Sequence, residues 1–486
     1  MAVDYDLVVV GSSWAGIYAA QKAALLQARV ALVTQADELF LRSELPFICG
    51  ISEAGQLNHR TLANNSGTIA SEIKLPQISL AQAADRAKGI DFVMEINDSL
   101  SSLAALGVDV IVNQGEFCRL PKLAFQVAQR KLRSRYFLLA TGTSFQTRFQ
   151  DDEGVDGYLS WREFYHQDLT EVGQNLTVVG SDPAALELAQ ALVRFDKQVT
   201  LVVEKPRILA PEDPDIAMLI QARLEAEGIK IYSNSPISQI KTIGQQKWLQ
   251  AGDRALMADE IIITDSRQPN IAKLNLAGVD VKYNQTRVYV NQKLQTTNPQ
   301  IFACGDLIGG YSLPSITRYE VELILKNTLF FPWYKTNYHS VPWAILTQPN
   351  LARVGLNESQ ATQHYGDEIY VVREYFDNVL QAQVSGQTTG ICKLIVRENG
   401  EILGCSLICD RAAELISTIA LMIKHHLRLD RNPMRGIISS LIPTVYPSMA
   451  EILTRSSENF YRQKLQRNPK LLNRLRSWFS LRQQWH

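Results

Sequence analysis

Short runs of consecutive apolar residues alternate with longer amphipathic segments along most of the chain. The first apolar run ends in a glycine, a helical segment follows from Ala15 to Gln27, and residues 28–35 form the next apolar run. The same succession of strand, turn, helix and strand starts again at Asn175 and extends to Leu209. Uninterrupted apolar strands that alternate with helices are typical of parallel sheets covered on both faces. The pattern therefore predicts an α/β fold containing two copies of one unit.

The turn in the first copy has the glycine spacing of a dinucleotide-binding loop. We expect Gly11 to make the tight turn and Gly16 to let the helix pack against the strand, while Ser13 takes a position that usually has no side chain. The helix N-terminus supplies N–H groups and positive potential for a pyrophosphate. Thr34 takes the place of the ribose-binding acid, which weakens that contact without abolishing the site. The alternative is an ordinary strand-to-helix turn that binds no ligand.

The turn in the second copy is altered in a different way. Gly180 stands at the tight turn, Asp182 at the close-approach position and Ala185 at the third glycine position. Asp182 followed by Pro183 is typical of a helix N-cap and first helical residue. A capping carboxylate would occupy the N–H groups that a pyrophosphate needs and would repel that anion. We expect a nucleotide site here that is recognisable but weak.

Composition and charge narrow the classes of function. The 486 residues carry 49 basic and 49 acidic side chains, so the overall charge indicates no nucleic-acid partner. Asp4 and Asp6 are unlike the start of a signal peptide, and no apolar run approaches the ~20 residues of a membrane span, so we expect a cytoplasmic protein. Cys405 and Cys409 share one predicted strand and lie too far apart along it for a disulfide. We expect the six cysteines to be reduced and mostly buried.

Two further predicted strands end in residues suited to a ligand. Thr141 and Gly142 end one strand, and Gly305 with Asp306 follows another. A carboxylate in that position can accept hydrogen bonds from ribityl or ribose hydroxyls. With these motifs and the RQPN segment that starts at Arg267, residues 4–455 resemble the pyridine nucleotide-disulfide oxidoreductase family, flavoproteins that include dihydrolipoamide dehydrogenase and mercuric reductase.

The resemblance implies an α/β fold with two Rossmann-like dinucleotide-binding domains, one for FAD and one for NAD, and a C-terminal α+β dimerisation domain that forms a homodimer. Glu204 would bind the ribose hydroxyls of NAD and repel the 2′-phosphate of NADP, so NADH is expected to be preferred over NADPH. No metal site is expected. The expected domains are an FAD-binding domain at 1–150 and 291–335, an NAD-binding domain at 151–290, a dimerisation domain at 336–455 and a basic amphipathic tail at 456–486. The expected cofactor-binding residues are Gly11, Ser13, Gly16, Thr34, Thr141, Gly142, Gly305 and Asp306 for FAD, and Gly180, Ala185, Glu187, Glu204 and Arg267 for NAD.

The chain departs from this family where the redox-active thiols are expected. The family's disulfide enzymes carry a Cys-x4-Cys pair shortly after the second strand, whereas this chain has only Cys49 there. Reduction of lipoamide or glutathione disulfide through a dithiol is therefore not expected. In single-cysteine relatives the thiol would fall at Ser43, which leaves two interpretations of Cys49: a small buried hydrophobic residue, or a thiol acting alone as a sulfenic acid or mixed disulfide. Ser266 also replaces the glycine usual before the RQPN segment.

A second departure concerns the family's general acid–base pair, a His-x-x-x-x-Glu stretch contributed by the partner subunit. Tyr446 stands at the histidine position and Glu451 at the glutamate position, and these are the expected catalytic residues. A tyrosine is a poor proton shuttle at neutral pH because its ordinary pKa is near 10. It can still donate a hydrogen bond to a carbonyl or quinone oxygen. The alternative is that Tyr446 only fills the former active-site cleft.

The C-terminal tail combines an apolar helical face with many basic residues. Leu471, Leu472, Leu475, Trp478 and Phe479 recur at helical spacing. Such a basic amphipathic helix suits a peripheral contact with an anionic membrane surface. Docking on the protein's own dimer is the alternative interpretation.

Two classes of function remain open. The first is an enzyme in which FAD takes hydride from NADH and passes electrons directly to a small-molecule acceptor such as a quinone. The FLRSELP loop and Trp14 are also similar to type II NADH dehydrogenases, which carry no dithiol. The second is a flavin-binding protein with a non-catalytic or regulatory role. It is favoured by the altered positions Ser13, Thr34, Asp182, Ser266 and Tyr446. Reduction of the flavin by NADH would separate the two classes.

Overall fold

The computed structural model describes residues 3–34, 45–65, 77–97, 99–119, 121–145, 157–264, 267–310, 313–429 and 442–483. Ser43, Ser266 and most of the FLRSELP loop lie outside the described residues. The chain folds as two compact units, Met1–Leu209 with Gln221–Thr336 and Ala210–Ile220 with Asn337–His486. The first unit contains both predicted dinucleotide-binding regions apart from residues 210–220. The finer division into four domains stays a prediction.

The first unit opens with the predicted succession of strand, helix and strand. The strand YDLVVV is buried over its last four residues because parallel strands on both sides and helices on the sheet faces cover it. Small three-stranded and two-stranded antiparallel sheets extend this region. The elements are β1 (Tyr5–Val10), α1 (Trp14–Leu25), β2 (Val30–Thr34), α2 (Leu45–Asn65), α3 (Leu80–Asn97), α4 (Leu100–Ala105), β3 (Asp109–Val112), β4 (Gly115–Cys118), β5 (Ala124–Val127), β6 (Arg130–Leu132), β7 (Ser134–Leu139) and β8 (Thr143–Phe145).

The second copy of the unit follows and the chain then returns to the first sheet. The next elements are β9 (Leu159–Ser160), α5 (Trp161–His166), β10 (Asn175–Val179), α6 (Pro183–Val193), β11 (Gln198–Val202), α7 (Pro214–Ala226), β12 (Lys230–Tyr232), β13 (Ile237–Ile243), β14 (Gln246–Ala251), β15 (Arg254–Ala258), β16 (Glu260–Ile263), β17 (Arg267–Pro269), β18 (Ile301–Ala303) and α8 (Pro314–Leu325). The two parallel sheets have the strand orders β18-β7-β1-β2-β3 and β12-β11-β10-β16-β9. The two predicted Rossmann-like layers are therefore confirmed.

The second unit is built around an antiparallel sheet of order β19-β20-β23-β22-β21. Helices α11 and α12 pack against it, and the shared core includes Phe376, Ile419 and Phe460. This arrangement confirms the predicted α+β C-terminal domain. Its elements are β19 (Trp343–Ile345), β20 (Asn350–Gly355), α9 (Glu358–Tyr365), β21 (Ile369–Tyr375), α10 (Leu380–Ser385), β22 (Ile391–Arg397), β23 (Ile402–Cys409), α11 (Ala412–Lys424), α12 (Glu451–Arg467) and α13 (Pro469–Gln483).

Ion pairs hold residues 210–220 in the second unit. The Nζ atom of Lys393, whose side chain is 1% exposed, lies 2.9 Å from Asp213 and 2.8 Å from Asp215. Arg353 donates to Glu212 at 2.7 Å. A buried ammonium group is stable only when such partners surround it. Long-range pairing of this kind leaves no local sequence signal, which is why residues 210–220 were expected with the NAD-binding region.

The predicted start of the tail at residue 456 falls inside a helix. Helix α12 runs through it without interruption and buries Phe460 and Tyr461, and Arg467 donates to the carbonyl oxygen of Ile369 at 2.9 Å. Helix α13, by contrast, buries no residue. The part of the tail that buries no residue therefore begins at Pro469.

A chain ending at Asn468 should keep the melting temperature of the full-length protein, because α13 contributes nothing to the core. A chain ending at Arg455 should melt far lower, since it loses Phe460 and Tyr461, and removing one buried Phe side chain alone costs about 3–5 kcal/mol. Differential scanning calorimetry of the three proteins checks this. Equal melting temperatures for both shortened chains would contradict the packing of α12.

Candidate functional site

The turn between β1 and α1 brings three backbone segments into close contact. Gly11 has φ +104°, and a Cβ there would lie 2.4 Å from the Thr141 Cα atom. A Cβ at Gly16 would lie 2.1 Å from the Gly11 carbonyl oxygen. Gly142, with φ +66°, faces Ser13 across the turn. Side chains at Gly11 or Gly16 would separate the strand ends, so this cradle depends on glycine at both positions.

The N-terminus of α1 has its first-turn N–H groups available for an anion. Ser13 is the N-cap residue, but its side chain makes no capping hydrogen bond, and the first turn contains no acidic residue. The first N–H groups of a helix lack intrahelical partners and carry positive potential. A diphosphate fits this position, as expected for the Gly11 to Gly16 loop.

Two buried threonine hydroxyls near the cradle differ in whether they are hydrogen-bonded within the protein. The Thr141 hydroxyl is buried and has no hydrogen-bond partner within the described part of the chain. Buried hydroxyls are rarely left unpaired, so this one indicates a polar ligand. The Thr34 hydroxyl instead shares a 2.5 Å hydrogen bond with Ser12, and both side chains are buried. Thr34 thus uses its hydroxyl within the protein.

Asp306 lies at the end of β18, held by two side chains. Its Oδ2 atom accepts hydrogen bonds from Arg267 at 3.3 Å and from Thr143 at 3.4 Å. The Arg267 guanidinium also stacks over the Phe145 ring at 5.4 Å. The Asp306 side chain is 25% exposed, so it is oriented and still accessible to a hydroxyl ligand. The residues present fit FAD, with α1 for the diphosphate and Asp306 for the ribityl hydroxyls.

The corresponding turn before α6 contains a side-chain carboxylate at the helix N-terminus. Asp182 is the N-cap residue, and its Oδ1 atom accepts from the Ala185 N–H at 3.2 Å and from the Thr264 hydroxyl at 2.5 Å. Pro183 occupies the first helical position. The predicted cap is confirmed. Arg267 lies 3.9 Å from the second Asp182 oxygen and so faces both turns.

The remaining residues expected at the nucleotide site differ in exposure. Gly180 lies so close to Thr264 that a Cβ added at Gly180 would be 2.1 Å from the Thr264 hydroxyl oxygen. Glu204 is exposed beyond the end of β11, and Glu187 is buried within α6. Their roles in binding NAD stay predictions.

Cys49 lies on α2 in surroundings that keep its thiol protonated. Burial, followed by the negative charge of Glu187, raises the pKa of Cys49 to about 11. The thiolate is the nucleophilic form, so this cysteine is a poor nucleophile at neutral pH. All six cysteines are free, including Cys392 and Cys405, whose sulfur atoms lie 4.0 Å apart in the second unit.

The residues expected as the catalytic pair do not hydrogen-bond to each other. Tyr446 is 68% exposed. Glu451 begins α12, where its Oε1 atom accepts from Arg455 at 2.8 Å and its buried Oε2 atom has no hydrogen-bond partner among the described residues. The Tyr446 hydroxyl is therefore open to an external acceptor, and the catalytic role of both residues stays a prediction.

Thr143 and Thr264 are site residues that the sequence interpretation missed. Thr143 supports Asp306, and Thr264 supports Asp182. Thr264 directly follows a parallel strand, and ligand-site residues of open α/β sheets cluster at such carboxyl ends. That rule could have identified Thr264 from the sequence. The position of Thr143, by contrast, depends on the pairing of β8 with β17, which joins residues far apart in sequence.

Sequence comparison decides the family. Residues 5–324 match pyridine nucleotide-disulphide oxidoreductase, and residues 341–455 match the dimerisation domain of that family. The chain belongs to the pyridine nucleotide-disulphide oxidoreductase family. The family binds FAD and NAD(P)H, and the dimerisation domain supports a homodimer.

Similar proteins include several of the family's oxidoreductases. The chain is 27% identical to mercuric reductase from Staphylococcus aureus over 94% of this chain and 82% of that protein. It is 30% identical to dihydrolipoyl dehydrogenase from Bacillus subtilis (strain 168) over 54% and 57%, respectively. The solved structure of LpdA from Mycobacterium tuberculosis has a TM-score of 0.79 at 22% identity and covers 93% of this chain and 99% of LpdA. That structure shows the shared fold.

Replacing Asp306 by Asn should weaken FAD binding by about 1.5–3 kcal/mol, the scale of a hydrogen bond to a charged group. Asn keeps the shape of the side chain and removes the charged acceptor. Fluorescence titration of the apoprotein with FAD measures the change, and Asp280→Asn, an exposed acid elsewhere in the first unit, is the control. Equal FAD affinity in both variants would remove Asp306 from the flavin site.

Proposed function

We propose that this chain is a FAD-dependent oxidoreductase that takes hydride from NADH and passes electrons directly from the flavin to a small acceptor, with a quinone as the first class to test. Two observations carry the proposal: the first-turn N–H groups of α1 are open to a diphosphate, and Cys49 has a raised pKa and no second cysteine at the Cys-x4-Cys spacing. When bound, FAD supplies the two-electron chemistry. A direct transfer needs no thiol relay.

The chain's own residues would then bind FAD and orient it and the acceptor. The α1 N-terminus holds the diphosphate, the Thr141 hydroxyl donates to a neighbouring ligand oxygen, and Asp306 fixes the ribityl hydroxyls. Tyr446 would donate a hydrogen bond to the acceptor oxygen at the site of the other subunit, and the hydrogen bond from Arg455 orients the Glu451 carboxylate. Glu204, exposed beyond β11, would favour NADH over NADPH through its charge.

The alternative is a flavin-binding protein with a non-catalytic or regulatory role. It is favoured by Asp182, which occupies the Ala185 N–H and places a carboxylate where the second diphosphate would bind. The repulsion amounts to roughly 1–4 kcal/mol at 4 Å, depending on the effective dielectric constant. Under this alternative the chain keeps its flavin and does not react with NADH.

Adding NADH to the purified flavoprotein without oxygen tests the proposal. The flavin absorbance should bleach, and thiol titration should give the same count before and after reduction. Turnover should appear with a soluble quinone and not with lipoamide, glutathione disulfide or mercuric ion. A flavin that stays oxidised would favour the non-catalytic alternative, and two additional thiols after reduction would reveal a disulfide relay.

Asp182→Asn should tighten NADH binding by about tenfold or more, because it removes the repelling charge. Asn is as good an N-cap as Asp, so α6 keeps its capping bond. Asp182→Ala is the matched control, since it removes the charge together with a cap that contributes ~1 kcal/mol of stability. Kd values and melting temperatures of the three proteins separate charge from capping. Unchanged NADH affinity in both variants would make Asp182 purely structural.

A peripheral membrane contact through α13 belongs to this proposal, because a quinone partitions into lipid. Residues 469–486 contain no acidic residue, and their basic residues are Lys470, Arg474, Arg476 and Arg482. Trp478 and Phe479 are exposed, at 42% and 56%. Within the described part of the chain, no helix is both long and apolar enough to span a bilayer. Docking of α13 on the protein's own dimer is the other interpretation.

Deleting residues 469–486 should remove the salt-sensitive part of binding to vesicles that contain phosphatidylglycerol. Each basic residue contributes on the order of 1 kcal/mol near an anionic surface, and salt screens that attraction. Co-sedimentation at low and high salt measures it, with phosphatidylcholine vesicles as the control. If the shortened chain binds with the same salt dependence but dissociates into monomers, α13 belongs to the dimer.

A further inference from the structure

Residues 330–335 form an exposed aromatic loop with the sequence FFPWYK. All six residues are exposed. The exposed fractions of its aromatic side chains are 56% for Phe330, 57% for Phe331, 73% for Trp333 and 49% for Tyr334. Scattered apolar residues are normal on a protein surface, but a contiguous patch of this kind marks an interaction site.

The aromatic loop is held firmly by the residues that flank it. Asn327, which is 1% exposed, donates to the Tyr334 carbonyl oxygen at 2.8 Å and accepts from the Tyr334 N–H at 2.9 Å. Thr336 donates through its N–H to the Gln292 carbonyl oxygen at 2.6 Å. Leu329 packs against the core below. The loop is therefore displayed outward by a rigid base, and ordering it on binding costs little entropy.

Two of the aromatic rings in the loop stack on each other. The Phe331 and Trp333 ring centroids are 4.9 Å apart with an interplanar angle of 20°. Lys326 lies over the Tyr334 ring at 5.7 Å. The loop therefore presents a compact group of aromatic side chains with the Lys326 ammonium group at its edge.

Along the sequence, the charged residues next to the loop are basic. No acidic residue occurs between Glu322 and Glu358, whereas Lys326 and Lys335 flank the aromatic residues directly. Lys293 adjoins Gln292, which receives the Thr336 hydrogen bond. Trp, Tyr and Lys side chains together are typical of the bilayer interface, where the rings sit at headgroup level and the amines reach the phosphates.

We propose that the aromatic loop inserts into the interfacial layer of an anionic phospholipid bilayer. Phe331 and Trp333 enter the layer between headgroups and acyl chains, and Lys326 and Lys335 pair with lipid phosphates. The loop belongs to the first unit and α13 to the second, so the two contacts are separate in the chain. The loop's contribution comes mainly from apolar burial and persists at high salt, whereas the electrostatic part of the α13 contact is screened.

The test uses the full-length flavoprotein and vesicles of phosphatidylcholine with phosphatidylglycerol, at a salt concentration that screens α13. The double variant F331S/W333S should partition at least about tenfold less than the parent protein, because two large apolar side chains are lost from the contact. The matched control Y375S/V384S removes two exposed side chains of the second unit, 49% and 72% exposed, and should bind as the parent does. Unchanged melting temperatures and flavin spectra establish that both variants are folded.

Depth gives a second readout. Bromine-labelled acyl chains should quench the tryptophan fluorescence of the parent protein, and W333F should keep the partitioning while losing the part of the quenching that persists when residues 469–486 are deleted. Equal partitioning of F331S/W333S and the parent would overturn the proposal. So would a shift of F331S/W333S to a smaller assembly in light scattering with no change in vesicle binding, since the loop would then contact a second copy of this chain.

Discussion

The free N-terminus of α1 is the feature on which the proposed flavin site depends. Backbone N–H groups at a helix start have no partners within the helix, and a diphosphate satisfies them without any specific side chain. The approach requires space that Gly11 and Gly16 provide, because a Cβ at either would clash with backbone atoms. This backbone site tolerates Ser13 and Trp14 in the loop, since neither residue supplies a capping side chain or a negative charge.

At the corresponding helix start, the N-terminus of α6, a protein carboxylate already accepts from a backbone N–H group. This carboxylate, Asp182, is the difference between the two turns. Asp182 fills the role that a bound diphosphate would fill, and Arg267 links it to the flavin side through Asp306. The Arg267 guanidinium thus lies 3.9 Å from the Asp182 carboxylate and 3.3 Å from the Asp306 carboxylate. Arg267 would attract a nucleotide diphosphate bound near Asp182, and that attraction would partly offset the repulsion from Asp182. The charges at the two turns therefore interact through Arg267.

Local patterns predicted the parts of this structure that local physics controls. The alternation of apolar strands and helices gave the α/β layers, and Asp182 with Pro183 gave the cap on α6, because both depend on neighbouring residues alone. The support of Asp306 by Thr143 and the 4.0 Å approach of Cys392 to Cys405 join residues far apart in sequence. The continuity of α12 across residue 455 was missed because its buried face is defined by strand β21, which lies some eighty residues earlier in the chain.

The surroundings of Cys49 bear on where an electron acceptor must go. A thiol relay needs a thiolate, and here burial and Glu187 both oppose its formation. Activating Cys49 would require either exposing α2 or placing a cation beside it, and Glu187 makes the local charge unfavourable for the thiolate. Under the proposed direct transfer, the acceptor would have to reach the flavin itself. The proposed quinone acceptor is consistent with this requirement, because a small planar molecule can approach an isoalloxazine ring without a thiol intermediary, and the proposed α13 contact would bring the protein to the bilayer in which lipophilic quinones dissolve.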